Sequence, residues 1–220
     1  MTRYGVILAD PAWRYANTGV NGSAAAEYES TMSLDEIKAL PVASLAADIA
    51  VLLLWTTWPF LESAYAVARA WGFDDYVTGF PWIKIDCEPT ADLFGETYLR
   101  PQWGTGWWVR GCSEPVLIFR RGGASPPRLN VVGLLSENFG HSRKPENLHA
   151  YAELLPGPYL ELFARRLRPG WDVWGNEVDG SIVFGPVAIS TDTSTAGAGR
   201  HGSAAAHEAG DAGGDRDRLW

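Results

Sequence analysis

No Gly-Lys pair occurs anywhere in the 220 residues, which removes the phosphate-gripping G-x-x-x-x-G-K-[ST] loop and the nucleotide hydrolases that depend on it. Gly104-Thr105-Gly106 continues into Trp107, so a G-x-G-x-x-G dinucleotide fingerprint is missing as well. Four histidines and two cysteines show none of the clustering that a zinc site requires, and no metal is expected. Cys87 and Cys112 also lack the spacing of a disulfide scaffold, which points to ordinary thiols in a reducing, cytoplasmic compartment. Long hydrophobic runs are absent. The longest, residues 49–55, falls far short of the roughly 20 residues that cross a bilayer. Met1-Thr2-Arg3 leads into a strand without a signal-peptide pattern, so a membrane partner is not expected. Positive charge is short overall, and a formal net charge of -8 argues against a general nucleic-acid coat protein.

The charge that is present is unevenly placed. Between Arg110 and Arg168, nine Arg or Lys stand against five Glu, a net +4 inside an acidic chain, which reads either as a local basic face or as ordinary solvated surface. Eleven tryptophans are also present. Trp13, Trp55, Trp58, Trp82, Trp103, Trp107, Trp108, Trp171 and Trp174 fall at expected strand ends or in the loops that follow. Most suit a core, and a minority at a sheet edge would stack on bases; sequence alone does not separate the two groups.

Hydrophobic periodicity alternates strand and helix. Residues 6–9, 49–55, 76–85, 115–120 and 159–164 read as strands. Helices are expected from the Ser33/Glu36 capping box to Pro41, from Pro59 to Trp71 with Gly72 as terminator, and over residues 145–155. Residues 17–30 and 86–106 are long loops. The pattern implies one α/β domain over residues 1–187, with a mostly parallel sheet covered by helices on both faces. Residues 188–220, rich in Ser, Thr, Gly and Ala, are expected to form a disordered tail.

Chemistry concentrates at the end of the first apolar run. Asp10-Pro11-Ala12-Trp13 places a carboxylate at a strand's carboxyl end, where open α/β sheets bind ligands. Pro11 turns the chain outward. A carboxylate, a rigid carbonyl and a flat aromatic side by side suit a planar base that carries an amino group.

Further segments follow in order: Trp13-Arg14-Tyr15, Leu54-Trp55-Thr56-Thr57, Gly104-Thr105-Gly106-Trp107-Trp108-Val109-Arg110, His141-Ser142-Arg143-Lys144-Pro145-Glu146, Glu161-Leu162-Phe163-Ala164-Arg165 and Trp174-Gly175-Asn176-Glu177. With them the chain, over roughly residues 4–184, resembles the MT-A70-like adenine N(6)-methyltransferases, in particular their short bacterial and phage members. The resemblance implies a Rossmann-like S-adenosylmethionine-dependent methyltransferase in permuted order, with the catalytic loop ahead of the cofactor strand.

It further implies that Asp10 and Pro11 hold the adenine 6-amino group, that Trp13 stacks on the base, and that Tyr15, Arg110 and Glu114 lie on the substrate side. Lys144 would meet the methionine carboxylate of S-adenosyl-L-methionine. Arg165 would approach its ribose, Asn176 and Glu177 its ribose or adenine, and Asp10 would also contact it. The chain departs from the family at Ala12, where a second Pro is usual; the loop should be looser and activity retained but weakened. The resemblance favours DNA over RNA as partner and allows a homo- or heterodimer. Two further readings stand beside it: an inactive methyltransferase-like nucleic-acid-binding subunit, and methylation of a small-molecule or protein amine, which would leave the basic section unexplained.

Overall fold

The computed structural model describes residues 2–13, 32–85, 90–91, 94–95, 97–98, 101–102, 108–127 and 144–184. The expected domain boundary at 187, the tail 188–220 and the loop 17–30 lie outside them. The first apolar run forms β1 (Tyr4–Ala9), in which every residue but Gly5 is buried. Such a run is what a strand covered on both faces requires.

The capping box starts α1 (Leu34–Ala39): Ser33 Oγ accepts from Glu36 N at 3.3 Å, and Ser33 N donates to the Glu36 carboxylate at 2.6 Å. Pro41 ends that helix and then opens a single further turn, α2 (Val42–Leu45). The next strand, β2 (Ala46–Trp55), begins earlier than its apolar run, because Ala46 pairs with Tyr4 across a bulge. After a 3-10 turn (Trp58–Phe60) comes α3 (Leu61–Ala70), which buries Ala64, Val67 and Ala68. Gly72, at φ 79°, ends it as expected, in a conformation that glycine adopts without strain. Trp71 is fully buried and donates its indole N–H to Ile37 O at 3.0 Å, tying α3 to α1.

Strand β3 (Asp75–Ile83) leads to a two-residue pairing of β4 (Thr90–Ala91) with β5 (Thr97–Tyr98), inside the segment expected to be irregular. Then follow β6 (Ser113–Arg121), α4 (Asn147–Ala152), β7 (Tyr159–Leu162) and β8 (Trp171–Trp174). Helix α4 is shorter than expected at both ends. Strand β7 stops at Leu162 rather than 164, because Phe163 turns to φ 63°. Strand β8 escapes periodicity analysis, since four residues are too few to establish a period.

The sheet order is β3-β6-β2-β1-β7-β8. Strands β2, β1, β7 and β8 pair in parallel, and β6 runs antiparallel to both β2 and β3. The expected mostly parallel sheet is therefore present with one reversed strand, inserted between β3 and β2. Ile83 pairs with Ser113, so the chain leaves β3 and enters β6 at the same edge. Alternation along the strands separates two cores. Ile7, Ala9, Leu52 and Leu54 pack with Ile37, Val67 and Trp71 on one face. Val6, Leu8, Val51 and Leu53 pack with Leu148 and Ala152 on the other. Helices thus cover both faces, and among the described residues no helix is long and apolar enough to cross a membrane.

Candidate active site

Parallel pairing brings the carboxyl ends of β1, β2 and β7 to one sheet edge, the usual ligand crevice of an open α/β sheet. Asp10 is the first residue beyond β1, and its N–H donates to Leu162 O at 3.4 Å, fixing it at the junction with β7. Pro11 is buried. Its carbonyl accepts the Trp13 N–H at 2.9 Å, closing a tight three-residue turn and leaving one lone pair for another donor.

Trp13 departs from its expected role. Its ring is only 6% exposed, stacks on Phe60 with centroids 5.7 Å apart, and donates its indole N–H to Trp55 O at 3.2 Å. It is a core residue that clamps the loop to β2 and the following turn, and it presents no open face to a base. The same contacts bear on Ala12. The anchored indole restrains the loop that carries Ala12, three residues beyond the carboxylate.

Lys144 reaches the same edge just ahead of α4. Its ammonium lies 3.4 Å from Asp10 Oδ1 and 2.8 Å from Glu114 Oε2. Lys84 completes the cluster at 2.5 Å from Glu114 Oε1. The Lys144 cation also sits 4.8 Å from the Trp55 ring centroid and 5.7 Å from that of Trp82, a cation-π geometry. Two carboxylates and two ammoniums leave the cluster neutral. Burial pushes the Asp10 carboxyl above the usual carboxylate range, against the lowering pull of Lys144, with Glu114 adding to the rise. Burial also acts to raise Glu114, but Lys144 and Lys84 outweigh it and hold that carboxyl below its ordinary value. Lys144 itself is raised: desolvation opposes its charge, and the two carboxylates overcome it.

A cavity of about 230 Å³ opens beside this cluster. Leu8, Trp55, Leu148 and Phe163 give it apolar walls, while Asp10, Lys144, Glu161, Arg165 and Arg166 supply both signs of charge. Arg165 is close enough for its charge to lower Asp10, and its Nε lies 3.7 Å from Glu177 Oε1. Asn176 and Glu177 are exposed in the turn after β8, beside the cavity lining rather than in it. Gly175 makes that turn possible: a Cβ there would stand 2.1 Å from Ala164 O. The structure thus joins Asp10, Lys144 and Glu114 by ion pairs and Arg165 with Glu177 by another, and the two groups meet at the cavity that Asp10, Lys144 and Arg165 line. Arg110 is exposed, while the ion-pair partners of Glu114 are Lys84 and Lys144. Tyr15 lies outside the described residues.

His149 and Glu161 were not singled out from sequence. His149 is buried, with Nε2 3.0 Å from Glu161 Oε2 and its ring edge-on to Trp171. A signal was available for Glu161. It interrupts an otherwise apolar inner strand, where a charge needs a partner or a function. His149 carries no such signal, because a histidine on the inward side of a short helix is usually a core residue.

Comparison with known proteins agrees with the geometry. The MT-A70 family model matches residues 4–177. Type II methyltransferase M.MunI of Mycoplasma sp is 31% identical over 213 residues, covering 86% of this chain and 84% of that protein. N6-methyladenosine RNA methyltransferase MTA1 of Pyricularia oryzae is 30% identical, covering 80% of this chain and 47% of the relative. N(6)-adenine-specific methyltransferase METTL4 of Homo sapiens is 30% identical, covering 80% and 37%. The chain spans less than half the length of the latter two. The family match runs from the strand that leads into Asp10 to the turn that carries Glu177, and on it the chain belongs to the MT-A70 family.

Proposed function

We propose that this protein transfers a methyl group from S-adenosylmethionine to the exocyclic 6-amino nitrogen of adenine in DNA, in a cytoplasmic setting. The observation that carries the reading is the Asp10 carboxylate, 3.4 Å from the Lys144 ammonium and next to the Pro11 carbonyl, at the head of a charged cavity.

The cavity fits the cofactor in chemistry. Acidic Asp10 and Glu161 suit an ammonium, Lys144 suits a carboxylate, and Arg165 with Glu177 suits ribose hydroxyls. Its 230 Å³ is small beside the roughly 300–1,000 Å³ of drug-sized ligand sites, so it suits the methionine end, with Asn176 and Glu177 beyond it for the nucleoside end. S-adenosylmethionine, when bound, supplies an electrophilic methyl group on a sulfonium.

An adenine amino nitrogen is a weak nucleophile, because its lone pair is delocalised into the ring. Asp10 and the free lone pair of the Pro11 carbonyl each accept one N–H, which makes the nitrogen more pyramidal and aims its lone pair. Lys144 keeps Asp10 ionised and oriented, and Glu114 keeps Lys144 in place. In duplex DNA the base must first leave the stack, at a cost of a few kcal/mol. DNA is preferred to RNA because the chain matches most of the length of a Type II methyltransferase and less than half of an RNA methyltransferase.

The test is incubation with labelled S-adenosylmethionine and unmethylated DNA or RNA. Label appears in adenine of DNA and is lost with Asp10→Ala. Cofactor binding without transfer to any nucleic acid would favour the inactive binding subunit and overturn the reading.

A further inference from the structure

Exposure sorts the tryptophans that sequence left mixed. Among the described residues, Trp13, Trp55, Trp71, Trp82 and Trp171 are buried and Trp174 is half-buried, whereas Trp58 and Trp108 are 51% and 99% exposed. Trp58 opens the 3-10 turn past the carboxyl end of β2, at the edge that carries Asp10. Its indole N–H donates to Ser113 Oγ at 3.0 Å. Ser113 adjoins Glu114, whose carboxylate holds Lys144. Two residues on, Phe60 stacks on Trp13 of the loop that contains Asp10 and Pro11. The Trp58 ring is therefore held by the start of β6, in a turn whose Phe60 packs on the loop that carries Asp10, while half of the side chain stays in water.

We propose that Trp58 is the stacking platform for a base of the substrate strand adjacent to the target adenine. The proposal rests on the nucleic-acid reading above. An indole with its single donor already engaged offers only a flat apolar surface. One such ring, between the polar Thr57 and the exposed Pro59, has the area of one base. A stable protein interface buries roughly 1,600 Å² in total, so a second protein is the poorer match. Base-aromatic stacking is also tolerant of base identity. It therefore suits a neighbour of the target, which must be gripped so that the adenine itself reaches Asp10. Trp58 takes the stacking role that burial denies to Trp13.

The test compares the unsubstituted protein with Trp58→Ala, Trp58→Phe and Ser113→Ala, using oligonucleotides with 2-aminopurine on either side of the target adenine. Trp58→Ala is expected to weaken oligonucleotide binding about 5- to 150-fold, the equivalent of roughly 1–3 kcal/mol per stacked base, and to abolish the 2-aminopurine quenching seen with the unsubstituted protein at one position. Trp58→Phe should recover most of both. Ser113→Ala should fall between, since it frees the ring without removing it. Affinity for S-adenosylmethionine and the melting temperature should stay unchanged throughout, as expected for a half-exposed side chain outside the cavity lining. Oligonucleotide affinity and quenching unaffected by Trp58→Ala would overturn the proposal alone. Parallel losses of cofactor affinity and melting temperature would also overturn it, by showing a structural role. An unsubstituted protein that binds no oligonucleotide would overturn the nucleic-acid reading itself.

Discussion

Asp10 and Lys144 are each perturbed by the other, and the sign of that coupling can be measured. Asp10 must be ionised to accept an N–H. Its pKa is raised above 3.8 by burial, so activity is expected to fall on acidification at a higher pH than an ordinary carboxylate would produce. Lys144 lowers that pKa. Lys144→Met should therefore shift the acid limb of the single-turnover rate, taken at saturating cofactor, to still higher pH, and Lys144→Arg should leave it near its original place. A limb unmoved by Lys144→Met would mean that Asp10 does not govern it. Asp10 and Lys144 were legible as candidates, because a charge at a strand end or in an ordered motif announces itself; the pairing of Glu114 with Lys84 and Lys144 was not, since Glu114 was expected on the substrate side. Nor was the destination of Trp13. An aromatic after a turn reads alike whether it folds outward or inward, and the acceptor that draws it in lies 42 residues along the chain.

At the level of elements, the joint between β7, β8 and their following turns sets the far side of the site. Ala164 N donates to Trp174 O at 2.9 Å, and Gly175 passes so close to Ala164 that any Cβ would overlap its backbone. Gly175→Ala is expected to push the Asn176-Glu177 turn away from Arg165. Overpacking of this kind costs about 1–3 kcal/mol, so the melting temperature should drop and the Kd for S-adenosylmethionine should rise. A variant with unchanged cofactor affinity would separate that turn from the site. Strands β1 and β2 were legible as continuous apolar runs, and β7 as an apolar run broken only by Glu161. The reversed direction of β6 was not, since its apolar run reads the same in either sense. Nor was β8, whose four residues depend on pairing with β7 rather than on any pattern of their own.

For the molecule as a whole, packing at the end of the described residues bears on where the domain can be cut. Ile182 and Phe184 pack against the core that holds Trp13, and Phe184 meets the Trp174 ring at 4.7 Å. A chain ending at residue 187 should keep the melting temperature and cofactor affinity of the full protein. One ending at residue 180 should lose both, because it strips the cover from Trp174, one residue before Gly175. Equal stability of the two truncations would show that the segment merely rests on the domain. Such a result would place the boundary earlier than sequence composition suggested.

The pairing of Ile83 with Ser113 has an evolutionary consequence. These two residues stand side by side, so the chain departs from β3 and re-enters at β6 in one place, at the edge that carries Asp10. A segment with such closely spaced feet can be lengthened, shortened or exchanged by recombination without altering the register of any inner strand. The domain is thus built to accept change in that segment without change to the sheet. Diversification of target preference is expected to accumulate in that stretch, while the strands stay as they are.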